Sequence, residues 1–185
     1  MEIGQDKDIL LLQKKYPELS LKEAGFFLIA NKLDRVDEYI HLKKHYLDTC
    51  KETPELKNFI NTNCYDFDDK NGWIIHTKNC DPSFDNQVII KATLQYLENQ
   101  FYPGNYAYNR LKNGINVTIN MEGFSLSIVK WSLVKQGNIL LSAYPFTINK
   151  IIVQNPPKYV SKLYFLAKRI FNKEAYEKIE LIKKN

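Results

Sequence analysis

Residues 115–146, INVTINMEGFSLSIVKWSLVKQGNILLSAYPF, carry the pattern on which the predicted fold depends. Apolar and polar residues alternate there in three runs, and turn signals separate the runs at 122–123 and 136–138. Alternation with a period of two is typical of strands with one buried face, and strands joined by short turns pair antiparallel. The stretch therefore predicts a three-stranded antiparallel meander, with TINKIIVQ (147–154) as a candidate fourth strand.

The residues before this stretch follow the spacing of amphipathic helices. Four helices are predicted within residues 1–63, and the second begins with a capping box formed by Ser20 and Glu23. Next, GWIIHTKN (72–79) indicates a short strand, and residues 82–104 indicate a long helix. The N-terminal part is therefore a helical layer that precedes the strand-rich part.

The segment after the meander is basic and has an apolar stripe. Pro156 and Pro157 end any sheet, and residues 159–184 then predict a C-terminal amphipathic helix, or two helices joined near Asn172. The expected class is α+β, with an N-terminal helical layer, a strand, a long helix, a curled antiparallel meander and a C-terminal helix.

Charge divides the chain into two parts. Residues 1–70 hold 11 basic against 14 acidic residues, a net charge of −3. Residues 71–154 have a net charge of +3 and residues 155–185 of +5. Since the polar stretch CYDFDDKNG (64–72) lies at this change, we predict an acidic helical module over 1–70 and a basic α+β domain over 71–185. A basic domain favours a polyanionic partner, although solvated helical faces explain the last 30 residues equally well.

Cysteine usage and the N-terminus bear on the cellular compartment. Cys50, Cys64 and Cys80 are odd in number and lack paired spacing, so we expect free thiols in a reducing compartment. No stretch has the roughly 20 apolar residues of a membrane span, and MEIGQDKD does not resemble a signal peptide. We therefore expect no membrane span and a cytoplasmic site of action; the sequence is also compatible with a piece of a larger exported protein.

Few residues offer recognisable chemistry. There is no phosphate-binding glycine loop and no paired CxxC, and we predict no cofactor. His41 and His45 stand four apart on a helix, but their surroundings fit a solvated face better than a metal site. His76 lies within an apolar strand, so it is either a structural residue or a general acid or base that works near neutral pH.

Two cations and three hydroxyls complete the candidate site. Arg110 and Lys130 are able to stabilise a phosphate, although a lysine within a strand is often a solvent-facing residue. By alternation Ser142 and Tyr144 share one strand face, and Thr147 follows the bend at a proline. These residues are compatible with a metal-independent ribonuclease, which needs an acid/base pair and donors to the phosphate.

The order of a histidine-bearing strand, a long helix, an arginine-bearing short helix, a meander and the strand end LLSAYPFT resembles the barnase/EndoU/colicin/RelE-type ribonuclease toxins over about residues 72–153. The resemblance implies a bacterial toxin that cleaves tRNA or other structured RNA by attack of the 2′-OH. It assigns catalysis to His76, Arg110, Lys130, Ser142, Tyr144 and Thr147. It also implies a cognate immunity or antitoxin protein as a partner.

This chain departs from the ribonuclease pattern, and a second hypothesis stays open. Many of those toxins carry a second histidine on the middle helix, whereas NYAYNRL offers Asn105 or Tyr106 there. The alternative is a non-enzymatic interaction protein of the immunity, antitoxin or phage-encoded inhibitor type. Neutralisers of basic nucleases are expected to be acidic, so the net charge of +5 favours the nuclease side.

Overall fold

The computed structural model describes residues 7–47, 53–68, 72–101, 112–125, 130, 132, 142–160 and 177–182. Helices and strands of these ranges follow in the order α1 (Lys7–Lys15), α2 (Leu21–Ala30), α3 (Val36–Leu42), α4 (Pro54–Ile60), β1 (Tyr65–Asp68), β2 (Gly72–His76), α5 (Asn86–Phe101), β3 (Ile115–Asn120), β4 (Ile148–Gln154) and β5 (Ile179–Ile182). Short 3₁₀ turns precede α3 and follow β2, and a π-helical turn, Lys43–Leu47, continues α3. The predicted mixture of helices and sheet, the α+β class, is confirmed.

The five strands form one sheet in the order β1-β2-β3-β4-β5. β1 and β2 pair antiparallel, whereas β2–β3, β3–β4 and β4–β5 pair in parallel. This differs from the predicted antiparallel meander. The physical reason lies in the connections: α5 separates β2 from β3 and residues 121–147 separate β3 from β4, and crossovers of this length let the chain return in the same direction. The middle strand predicted over 124–135 lies largely outside the described residues.

Two further segments differ from their predicted conformations. Ser142 and Ala143 are helical, and the next strand begins only at Ile148. Pro145 lacks an N–H, and the amide of Phe146 bonds to the carbonyl of Tyr144 at 2.8 Å, so a tight local turn replaces the predicted strand. Near the C-terminus the predicted helix is wrong at Ile179–Ile182, which adds to the sheet as β5 beside β4.

One hydrophobic core joins the helical layer to one face of the sheet. Phe27 of α2, Tyr39 of α3 and Leu97 of α5 are buried together with Trp73 of β2 and Val117 of β3. A smaller cluster between α4 and α5 contains Leu56, Phe59, Cys64, Ile89 and Ala92. The alternating burial of Ile115 and Val117 follows from strand geometry, which sends every second side chain toward the helices.

Two local predictions have opposite outcomes. The capping box at the start of α2 is confirmed: the Ser20 side chain accepts from the amide of Glu23, and the Glu23 side chain accepts from the amide of Ser20. The expectation of free thiols is wrong for two cysteines, because Cys64 and Cys80 form a disulfide with Cα atoms 5.2 Å apart. Cys50 lies outside the described residues.

The predicted boundary at residues 70 and 71 falls between two paired strands. β1 precedes it and β2 follows it, and the two strands pair over four residues each. The Cys64–Cys80 disulfide also crosses it. The division into an acidic and a basic part stays a prediction.

Candidate functional site

A polar cleft of about 450 Å³ opens at the carboxyl ends of β2 and β3. His76 and Asn120 are the last residues of these two strands and are paired in register. The full lining consists of Asn63, Tyr65, Asp66, His76, Lys78, Asn79 and Asn120. The crevice outside the carboxyl ends of parallel strands is the common ligand position in open α/β sheets.

Hydrogen bonds fix the orientation of two carboxamides in this polar cleft. Asn79 donates from Nδ2 to the carbonyl of Asn63 at 3.0 Å. The Oδ1 atom of Asn120 accepts from the amide of Glu122 at 3.1 Å and from Asn155 Nδ2 at 3.0 Å. Since no other described residue bonds to Oδ1 of Asn79 or Nδ2 of Asn120, these atoms offer an acceptor and a donor at the cleft.

The sheet face that leads into the polar cleft carries Ile74, Thr118 and Ile152, neighbours in register on β2, β3 and β4. This face is opposite to Val117 and the helical core, and His76 and Asn120 lie on it two residues further along. Thr118 is only 2% exposed, and its hydroxyl has no hydrogen-bond partner among the described residues. Since buried hydroxyls are normally paired, this one requires an explanation.

A second polar group lies inside the helical layer, where two carboxylates approach the same tyrosine. The hydroxyl of Tyr39 donates to Glu23 Oε1 at 2.8 Å and also lies 3.1 Å from Glu98 Oε1. Tyr144 donates to the same oxygen of Glu98 at 3.0 Å, and Lys43 lies 2.6 Å from Glu23. Four parts of the chain therefore meet in this cluster, namely α2, α3 with its π-helical turn, the turn at Tyr144, and α5.

The pKa values of the two carboxylates in this cluster are shifted in opposite directions. Burial raises the pKa of Glu98 to about 7, although hydrogen bonds from Tyr144 and Tyr39 oppose the rise. Burial also acts to raise the pKa of Glu23, but the hydrogen bonds from Lys43, Ser20 and Tyr39 outweigh it and lower that pKa. Because Tyr39 has a single hydroxyl hydrogen, a protonated Glu98 that donates to Tyr39 satisfies both contacts.

Of the predicted catalytic residues that the structure describes, only His76 lines the polar cleft. Lys130 donates from Nζ to the carbonyl of Phe84 at 2.5 Å, just before α5. Arg110 lies outside the described residues.

The predicted hydroxyl donors lie elsewhere. Tyr144 is 2% exposed and packs edge-on against Tyr39 at 5.3 Å in the core, and Ser142 lies in the helical turn before it. Thr147 precedes β4 and accepts from the amide of Ile115 through its carbonyl, so it lies at the amino end of the parallel strands, opposite to His76. The described members of the set are therefore not brought together.

Sequence reasoning missed Thr118, Glu98 and the disulfide. The alternation in INVTIN placed Thr118 on the face opposite to the buried apolar residues, but it gave no sign that Thr118 itself is closed to solvent. Glu98 in a helix otherwise apolar on that side was the available signal for a buried acid. The 16-residue separation of Cys64 and Cys80 has no local signature.

The two histidines at metal-ligand spacing lie on the helical layer. His41 and His45 have parallel rings with centroids 6.2 Å apart. No cluster of three or more histidine, cysteine, aspartate or glutamate side chains suited to a metal ion occurs among the residues that the structure describes. In the same residues, no helix has the length and apolar character needed to cross a membrane.

Comparison with known proteins gives a family for most of the chain. The family profile described as the CRAL/TRIO domain matches residues 55–185. A search of curated proteins gave no significant match. One solved structure, described as the crystal structure of Sfh5, is 12% identical with a TM-score of 0.49, and the alignment covers 97% of this chain and 70% of that chain.

The family match overturns the ribonuclease interpretation. Residues 72–153, the region of the resemblance to ribonuclease toxins, lie inside the matched region, and proteins of the matched family bind lipophilic ligands rather than RNA. RNA cleavage, toxicity, tRNA as the partner and a cognate antitoxin are therefore wrong, as is the alternative of an immunity-type interaction protein. The positive charge was a misleading signal, because a net charge constrains encounter and solubility but does not identify a fold.

Proposed function

We propose that this chain, which belongs to the CRAL/TRIO domain family, binds one lipophilic molecule against the sheet face that carries Ile74, Thr118 and Ile152. Proteins of this family bind lipophilic ligands such as lipids, which gives the ligand class. The face itself supports the position, since it combines two isoleucines with a single buried hydroxyl.

The unpaired hydroxyl of Thr118 is the observation that carries this proposal. A buried polar group without a partner costs about 1–3 kcal/mol, and a ligand oxygen or N–H that bonds to it removes that cost. Ile74 and Ile152 on either side offer apolar contact, and each ligand CH₂ that they shield from water contributes about 0.8 kcal/mol. The face therefore suits an alkyl chain with one polar group near Thr118.

Access to Thr118 requires a change in the protein. The residue is shielded from solvent, so a ligand reaches the hydroxyl only when this face of the sheet opens. Association then includes a conformational step, and its rate levels off as the ligand concentration rises if opening precedes binding.

Loading with lipid tests the proposal directly. The purified chain is incubated with vesicles made from a total lipid extract, separated from them, and analysed by native mass spectrometry. We expect about one lipid molecule per chain, since the face holds a single hydroxyl site. Protein that carries no lipid above the level of a vesicle-free sample contradicts the proposal.

A pair of threonine variants tests the position of the ligand. Thr118→Val keeps the side-chain shape and removes the unpaired hydroxyl, so we expect unchanged or higher stability and about 2- to 10-fold weaker retention of a polar lipid. Thr93→Val is the matched control, because Thr93 on α5 already bonds to the carbonyl of Ile89 and to Tyr65. That control should melt at a lower temperature and retain lipid normally; equal retention by both variants would exclude Thr118 from the site.

A further inference from the structure

We propose that the polar cleft binds a neutral, hydroxyl-rich group such as a sugar or polyol. The inference rests on the proposed function in one respect, because it takes this group to be the polar end of the bound lipophilic molecule.

The hydrogen-bonding groups of the cleft match hydroxyls. A hydroxyl both donates and accepts, so it is best met by neighbouring donors and acceptors together. Asn79 presents an oxygen and Asn120 an N–H₂ group, each held by the bonds of its other amide atom. Asn63 and His76 add side chains that make no hydrogen bond to another described residue.

The charges of the cleft disfavour an anionic group. Among the lining residues that the structure describes, Lys78 is the only lysine or arginine, and its ammonium lies 3.5 Å from the carboxylate of Glu122. Asp66 adds a carboxylate to the same lining. A site for phosphate would instead have excess positive charge or several convergent N–H donors.

The cleft is also held in shape and connected to the proposed lipid site. Asn63 and Tyr65 flank Cys64, and Asn79 precedes Cys80, so the disulfide joins the two walls of the cleft. Asn120 lies two residues beyond Thr118 on the same face, which corresponds to roughly 7 Å along a strand. One molecule is therefore able to place its alkyl part beside Thr118 and its polar group in the cleft.

Three probes distinguish a free hydroxyl-rich ligand, a hydroxyl-rich group attached to an alkyl chain, and an anion. Methyl β-D-glucoside supplies the hydroxyl-rich group alone, octyl β-D-glucoside below its critical micelle concentration adds an alkyl chain, and inorganic phosphate supplies an anion. Binding is followed by NMR through the imidazole signals of His76, assigned with His76→Gln. We expect both glucosides to shift these signals, the octyl compound at lower concentration, and phosphate to leave them unchanged.

Asparagine variants tie the response to the cleft. Asn63→Gly removes the carboxamide and keeps the backbone, because Asn63 has a φ of +55° that glycine adopts freely. Asn31→Gly is the control, since Asn31 has a φ of +53° at the end of α2 and does not line the cleft. We expect about 2- to 10-fold weaker glucoside binding for the first variant, as for loss of one or two neutral hydrogen bonds, and no change for the second.

Each outcome separates this proposal from the proposed function. If the chain retains lipid but neither glucoside shifts His76, the cleft proposal is wrong and the lipid function stands. Shifts with phosphate alone overturn the neutral-ligand assignment. If methyl glucoside binds in an Asn63-dependent way while lipid loading fails, hydroxyl recognition stands and its role as the polar end of a lipid is wrong.

Discussion

Glu98 shows how burial converts a charged side chain into a neutral hydrogen-bonding one. Glu98 contacts the hydroxyls of Tyr39 and Tyr144 in the helical layer. The hydroxyl of Tyr39 donates its hydrogen bond to Glu23. Lys43 forms an ion pair with Glu23, and its lowering effect on the pKa of Glu98 is smaller than the raising effect of burial. When Glu98 is protonated, it donates a hydrogen bond to the hydroxyl of Tyr39. The two carboxylates then no longer compete for the single hydroxyl hydrogen of Tyr39.

The pKa of Glu98 predicts a loss of stability with rising pH. The folded-state pKa of about 7 lies above the ordinary value of 4.5, so the folded chain binds the proton more tightly than the unfolded chain. This contribution is complete below about pH 4.5 and is lost as pH rises through 7, on the order of 3 kcal/mol in total. Glu98→Gln, which cannot ionise, should be more stable than the wild type at pH 8 and similar to it at pH 5. Urea unfolding at pH 5, 6, 7 and 8 measures the difference.

A surface variant controls for the general effect of removing a carboxylate. Glu18 is exposed and pairs with Lys44, whose hydrogen bond lowers the pKa of Glu18. Glu18→Gln should therefore keep the wild-type loss of stability between pH 5 and pH 8. If Glu98→Gln shows that same loss, Glu98 ionises in the folded state as an ordinary carboxylate.

At the level of single residues, the sequence predicted local chemistry and missed tertiary chemistry. The capping box of Ser20 and Glu23 depends on a four-residue pattern and was found. His76 was singled out by its residue type, and the structure places it in the polar cleft. Thr118 and Glu98 depend on what covers them in space, which no spacing along the chain encodes.

At the level of elements, the sequence predicted strands more reliably than their pairing. Residues 72–76, 115–120 and 148–154 were expected as strands and are strands. Alternation gives the face of each residue but no direction for the neighbouring strand. The alternation over 124–146 predicted two further strands, but Ser142 and Ala143 are helical, because alternation over a short run does not exclude a helical turn.

The pairing of β2 with β3 predicts a strict requirement for glycine at position 72. Gly72 has a φ of +74°, and a Cβ added there would lie 2.4 Å from the carbonyl oxygen of Asn116. Gly123 has a similar φ of +70°, but its nearest contact would be 3.4 Å from the Lys78 side chain. Gly123→Ala should therefore cost only the left-handed strain, about 1–2 kcal/mol, and Gly72→Ala clearly more. Thermal unfolding of both variants tests this prediction. Equal losses of stability would mean that the backbone of β3 moves away from the added Cβ at no energetic cost.

At the level of the whole molecule, charge and family point in different directions. The positive charge of residues 71–185 suggested a polyanion, whereas proteins of the matched family bind lipophilic ligands. Apolar ligand sites are built by side chains that the fold brings together, so composition does not reveal them. The helical layer expected for residues 1–63 is present, but its packing against the sheet required the structure.

We expect that the acidic part, residues 1–70, and the basic part, residues 71–185, do not fold separately. A fragment of residues 71–185 lacks β1, Cys64 and the helices that bury Trp73 and Leu97. We expect it to show no cooperative unfolding transition in urea, because one edge of β2 and one side of the core are then exposed to water. A fragment of residues 53–185 is the matched comparison, since it regains β1, α4 and the disulfide, and we expect it to be the better ordered of the two. A cooperative transition for 71–185, with a midpoint close to that of the full chain, would show that the charge boundary is also a folding boundary.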